Sequence, residues 1–192
     1  DITDVKKAKD IMDETSSQLT LAMHAANMAW WEMDILSGNI VFSKRKSDML
    51  GYPQEKFTHY KDFMELVHPD DYEPAMEAMR DHFKGKVNKY EAEYRIMANS
   101  GDYKYFYDIG TIQKRDSAGM PTYMTGVVMD ITARKVAEKS LLESEEFSRT
   151  LFMKSPDAYL TIIDGVITEC NHAAEIMLRG DRSMIIGLSP EE

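Results

Sequence analysis

His24, His59, His68, His82 and His172 are the side chains of this sequence best suited to hold a metal ion, yet no two of them stand at a zinc-ligand spacing. The single cysteine, Cys170, rules out an internal disulfide and a cysteine-based zinc site. Asp70 and Asp71 follow His68-Pro69, where carboxylates complement the positive end of a helix more readily than they bind a cation. Nucleophile-elbow, phosphate-loop and paired-carboxylate motifs are absent from the sequence, so no residue set points to an enzyme. Asp130 and Thr132 carry more information. A strand pattern ends at Ile131 and a helical pattern begins at once. Thr132 is placed to cap that helix, with Ala133 to Lys135 as its first turn. Asp130 can pair with a cation on a neighbouring strand, and Arg95 is the candidate. Asp130, Ile131, Thr132 and Arg95 would then form a stiff junction, and a distortion of the sheet would tilt or rotate the outgoing helix. The plainer alternative is a helix cap alone, worth about 1 kcal/mol.

The elements that must position these residues can be read along the chain. Val5, Ala8, Met12, Thr15, Leu19, Ala22 and Ala26 keep a 3,4 spacing. That is either a weak coiled-coil seam or one amphipathic helix lying on its own domain. "AWWEMDILSGNIVF" reads as a β-hairpin. "SKRKSDMLGYP" and "KDFMELV" read as short helices, and "HPDDYEPAMEAMRDHFKG" as a longer one with Pro69 at its first position. Three strands follow, "NKYEAEYRIMA", "YKYFYDIGTIQKR" and "PTYMTGVVMDI", joined by turns that each carry a glycine. Two strands, several helices and three more strands make an α+β domain built on an antiparallel sheet. The outgoing helix "ARKVAEKSLLESEEFSRTLF" places Ala137, Leu141, Ser144, Ser148 and Leu151 on a second weak seam. Such a seam suits either a switchable coiled-coil linker or a solvated spacer.

Composition narrows the partners. Apolar residues at 43% and charged residues at 29% describe an ordinary globular mixture. A formal charge of −10 repels phosphate backbones, so no nucleic acid and no direct membrane contact are expected. One cysteine and no apolar run of about 20 residues fit a cytoplasmic segment, whose parent could still carry a membrane anchor.

An internal repeat organises the chain. The tripeptide Asp-Ile-Thr begins at Asp1 and again at Asp130, 129 positions later. Ala29-Trp30 and Ala158-Tyr159 keep the same offset, as do Gly51 and Gly180. A constant offset at three places argues for a tandem array. The expected division is 1–28 as the end of a preceding unit and a connecting helix, 29–132 as one complete domain, 133–153 as a linker helix, and 154–192 as the opening of a second copy. That last hairpin, turning at Asp164-Gly165, has an edge for which no strand follows, so it is expected to be disordered or to pair with another chain.

The order and spacing of "WWEMD", "DMLGY", "LVHPDD", "EAEYRI" with "SGDY", and "GVVMDIT" resemble a PAS domain of the subgroup that ends in a PAC motif. The family's tryptophan after the turn is replaced here by Tyr105 and Phe106. The resemblance implies a five-stranded antiparallel sheet in the order 2-1-5-4-3, short helices on one face and long flanking helices. It implies a sensory or signal-relay module, most often of a sensor histidine kinase, that forms a homodimer through its helices and adjoins further PAS and output domains. A haem-binding relative would draw an axial ligand from the long helix, where His82 is the candidate; a lone helical histidine is more often filler, and haem is disfavoured. Flavin photochemistry would need a cysteine between residues 44 and 87, and none is there. The 15 methionines fit an ordinary core or an adaptable pocket. An unknown small ligand, if one binds, belongs between the sheet and the helix that starts near Pro69, with Tyr94, Ile96, Met64 and Met79 as its walls.

Overall fold

The computed structural model describes residues 2–190, without the side chains of residues 2–5 and 8. Asp1 of the first tripeptide and the Val5 and Ala8 side chains of the seam lie outside the described residues. The chain divides into two compact units, residues 1–135 and 136–192.

Unit 1 begins with a helix, α1 (Ile2–Ala25), whose described seam residues Met12, Thr15, Leu19 and Ala22 are exposed. The sheet contains β1 (Met28–Asp34), β2 (Ile40–Phe42), β3 (Tyr90–Met97), β4 (Tyr103–Arg115) and β5 (Pro121–Asp130). Every pairing is antiparallel and the order is β2-β1-β5-β4-β3, as the resemblance implies. Between β2 and β3 lie α2 (Lys44–Leu50), a 3-10 turn (Gln54–Lys56), α3 (Tyr60–Met64) and α4 (Pro69–Phe83). Pro69 opens α4, and the His68 side chain accepts from the Asp70 N–H at 3.2 Å, so the entry loop is fixed by a cap.

Strand parity decides the core. Tyr90, Tyr94 and Ile96 of β3 turn inward, matched by Phe106 of β4, Met124 and Val128 of β5, and Ala29, Trp31 and Met33 of β1. Phe42, Phe57 and Phe63 close one end, with Phe57 and Phe63 stacked at 3.9 Å between centroids. Gly110 and Gly126 pair across β4 and β5 directly beneath the indole of Trp31. A methyl group at 110 would lie 2.8 Å from that ring, and one at 126 would meet both the ring and the Ile109 carbonyl.

A single helix, α5 (Thr132–Lys154), starts in unit 1 and continues into unit 2, with no buried residue along its length. Unit 2 further contains β6 (Leu160–Ile163), β7 (Val166–Cys170), α6 (His172–Leu178) and α7 (Arg182–Ile185). Asp164 and Gly165 both take positive φ, the geometry that a two-residue hairpin requires. The sequence places a glycine, Gly180, at the close of α6. Arg179 instead adopts the left-handed cap, at a cost of about 1–2 kcal/mol for a side-chain-bearing residue. Gly180 then donates to the Glu175 carbonyl at 3.2 Å. The core of unit 2 is small: Ile167, Cys170, Ala174 and Ile185.

Candidate functional site

Two features of unit 1 can carry function, a cavity under the sheet and the junction at its last strand. The cavity holds about 170 Å³ and is lined by Met33, Ile35, Ile40, Phe63, Met64, Met76, Met79 and Phe83, with Trp31, Lys46, Tyr90, Tyr94 and Asp108 as its polar part. A cavity of about 150 Å³ with apolar walls accepts a benzene ring.

Asp108 sits at an inward position of β4, two residues from Phe106, and is 5% exposed. Its two oxygens accept from the Trp31 indole at 2.6 Å and the Tyr94 hydroxyl at 2.9 Å. Burial raises its pKa, while Lys46 and the two donors oppose the rise. Lys46 lies on the face of α2 that also buries Met49 and Leu50, three and four residues on. Its ammonium stands 4.2 Å from the centre of the Phe63 ring and 5.5 Å from that of Trp31. Burial lowers its pKa, and attraction to Asp108 opposes this. Burial and the Asp108 charge push the Tyr90 and Tyr94 hydroxyls well above the usual tyrosine range.

Of the four expected wall residues, Tyr94, Met64 and Met79 line this cavity. Ile96 does not. It is fully buried, and its strand position bridges Val67 on the loop before α4. Lys46 and Asp108 were not singled out in the sequence. The legible signal was Asp108, a charge at a core-facing position of an aromatic strand. Lys46 is hidden among Lys44 and Arg45, and only its i+3 and i+4 apolar partners reveal it.

At the junction, β5 hands over to α5 through shared bonds. Ile131 donates its N–H to the Tyr105 carbonyl at 2.9 Å, and the Tyr105 N–H donates to the Thr132 hydroxyl at 3.0 Å. Thr132 therefore extends the β4–β5 ladder and does not cap the helix as expected. The capping role falls to Asp130, whose carboxylate accepts from the Thr132 N–H at 3.0 Å and its hydroxyl at 2.5 Å. Lys104 supplies the cation, 3.2 Å from Asp130.

Arg95 does not pair with Asp130. Phe106 stands opposite both Tyr94 and Asp130, so Asp130 shares the face of Tyr94. Arg95, one residue on, takes the alternate face, with β4 in between. Its backbone N–H and guanidinium both donate to Asp71 at 2.8 Å, and Asp70 lies at 3.5 Å. Arg95 thus ties β3 to the start of α4, and its donation holds the Asp71 carboxyl below the usual range.

The incoming helix reaches the same point. Asn27, just after α1, donates its side-chain N–H to the Asp130 carbonyl at 3.2 Å and accepts the Asp130 N–H at 3.3 Å. Arg45 in turn donates to the Asn27 side chain at 2.8 Å and to the His24 carbonyl at 3.2 Å. On the outgoing side, Arg134 and Lys135 each approach Glu93 to 2.6 Å.

His82 is 3% exposed and lies outside the cavity lining. One ring nitrogen bonds the Val87 carbonyl at 3.0 Å, and the other accepts from the Ile112 N–H at 3.2 Å. Neither nitrogen is left for an iron, so His82 pins the end of α4 to β4 and is not a haem ligand.

A sheet of this order, cupped over short helices, is matched by a family model described as PAS fold over residues 39–128. That sheet order, with its short helices, is the PAS fold. Among solved structures, the sensory box histidine kinase/response regulator of Burkholderia thailandensis is 29% identical. It covers 70% of this chain and 99% of its own, with a TM-score of 0.59. The methyl sulfide methyltransferase-associated sensor of Methanosarcina acetivorans is 32% identical over 113 residues, 58% of this chain and 10% of that protein. The two-component sensor PprA of Pseudomonas aeruginosa is 26% identical over 160 residues, 81% of this chain and 17% of that protein. The chain thus spans only 10% and 17% of the length of these two sensors. No helix among the described residues is long and apolar enough to cross a membrane.

Proposed function

We propose that this chain is a sensory and signal-relay segment of a multidomain signalling protein, a sensor histidine kinase being the parent that its relatives favour. The segment itself is non-catalytic and works in the cytoplasm. The PAS domain, of the PAC-containing subgroup, is one member of a tandem array whose next copy opens in unit 2. One observation carries the relay reading: Asp130 is bonded both to Asn27 at the end of α1 and to Thr132 at the start of α5. A shift of β5 therefore moves the ends of both helices together, with no flexible residue between strand and helix. The exposed apolar rows, Met12 and Leu19 on α1 and Leu141 and Leu151 on α5, are where a homodimer would form.

The test is amide exchange combined with sedimentation. Slow exchange at Ile131 to Lys135, accelerated at least tenfold by Thr132→Val, together with a dimer at micromolar concentration, is the expected result. A strict monomer, or a helix start that exchanges as a free linker does, would overturn the relay.

A second reading has its own observation. The cavity favours a PAS domain that holds a small molecule between sheet and helices. Haem is not that molecule on present geometry, because His82 is fully engaged.

A further inference from the structure

Two largely buried residues present polar ends to the unit 1 cavity that no described residue bonds. Lys46 and Tyr90 are 6% and 4% exposed, and both line the cavity. Among the described residues, neither the Lys46 ammonium nor the Tyr90 hydroxyl has a hydrogen-bond or ion-pair partner. Lys46 has only ring faces and the more distant attraction of Asp108. Asp108 does not close on it, and each of its oxygens already receives a donor.

A buried charge of this kind is costly unless it meets an opposite charge or a set of acceptors. The Lys46 ammonium can only donate and the Tyr90 hydroxyl can donate, so one partner that meets both is an acceptor. A neutral carbonyl would satisfy the hydrogen bonds but leave the charge. A carboxylate does both, and charge-assisted bonds are roughly twice as strong as neutral ones. Apart from Asp108 and Tyr94, which bond each other, the remaining walls are thioether, aliphatic and aromatic, with room for about one ring.

We propose that the cavity binds a small aromatic monocarboxylate of about the size of benzoate. Its carboxylate accepts from Lys46 and Tyr90, and its ring packs among Met64, Met76, Met79 and Phe83. This rests on the ligand-holding reading of unit 1 and gives that ligand its chemistry.

The experiment titrates the intact chain, with methyl-labelled methionine, against benzoate, benzamide and toluene. Methyl NMR locates binding and calorimetry gives affinity. Benzoate is expected to shift the methyls of Met64, Met76 and Met79 and to bind at least tenfold more tightly than benzamide. Lys46→Met should erase that preference while toluene still shifts the same methyls. Should Lys46→Met fail to fold, Tyr90→Phe decides, with an expected loss of at least threefold for benzoate and none for toluene. An unchanged preference for benzoate in a folded variant overturns the proposal. If benzamide or toluene binds the wild type as tightly as benzoate, the carboxylate is wrong while a ligand-holding cavity survives. If no probe shifts these methyls, both fall.

Discussion

The β1–β2 hairpin of unit 1 and the β6–β7 hairpin of unit 2 start from like sequence, an aromatic residue, a run of apolar residues, a turn and a short helix. In both, the segment after the helices bonds the edge of the second strand: Thr58 and Tyr60 bond Ile40 and Gly38, while Gly187 and Leu188 bond Ile167. The other edge differs. β1 pairs with β5 along its whole length, whereas β6 has no further strand among the described residues. Burial follows. Ala29, Trp31 and Met33 are under 10% exposed, while Ile162 and Ile163 are 48% and 56% exposed. Local pattern is thus enough to make a hairpin and its edge cover. Only a neighbouring strand turns that hairpin into a core. The caps differ as well. Asn171 before α6 is fully buried with four side-chain bonds, to Tyr159, Ala174, Phe152 and Asp157, whereas Ser43 before α2 makes none.

The comparison can be broken most sharply at Phe106, which no other part of the core replaces. Phe106→Ala should destabilise unit 1 by about 3–5 kcal/mol in chemical denaturation. Ile163→Ala in the exposed strand should stay within about 0.5 kcal/mol. If Ile163→Ala costs as much, the two hairpins are equally embedded and the contrast fails.

Asn171→Ala comes next, at about 2–3 kcal/mol, because it leaves buried backbone groups unpaired. Amide exchange should rise across β6 and β7 while the melting of unit 1 is unchanged. Ser43→Ala, at the corresponding cap, should be neutral, since its hydroxyl is buried without a partner. A loss above about 1 kcal/mol there would show a bond that the geometry lacks.

Acid separates the units more gently. Arg95 lowers the folded pKa of Asp71, so its stabilisation is complete above the unfolded value of about 3.9 and is lost as pH falls through the lower folded value. Asp71→Asn should flatten the acid limb of unit 1 stability below about pH 4. Glu175 of unit 2 is lowered mainly by its bond to His172 and has the same sign, but that partner is an exposed histidine and not a guanidinium that grips both oxygens. Glu175→Gln should therefore change the acid limb of unit 2 least of all. An equal flattening in both would remove the distinction between a carboxylate clamped by a guanidinium and one held by an exposed histidine.

The frame of unit 1 was legible in the sequence because each element announced itself. Alternation marked β3, Pro69 marked α4, and glycines marked the turns, so the elements emerged as expected, while the strand order followed from the resemblance to the PAS family. The site was less legible. Tyr94, Met64 and Met79 were found because strand parity and helix spacing bring them inward. Ile96 shares the parity but lies further along the strand, and parity says nothing of where a cavity ends. Arg95 was paired with Asp130 on charge alone. The register that puts them on opposite faces, and the competing Asp71, are tertiary facts. Lys46 stayed hidden because a lysine among cations reads as surface.

Trp31, Gly110 and Gly126 impose an order on change. An indole over two glycines leaves neither free to gain a side chain while the ring is present. A lineage that first shrank residue 31 would open position 110, where the remaining obstacle is the flexible end of Met124 at 2.5 Å. Position 126 would stay closed even then, because a main-chain carbonyl bars it. Of the three, residue 31 must change first, residue 110 can follow only afterwards, and residue 126 not at all while this sheet persists.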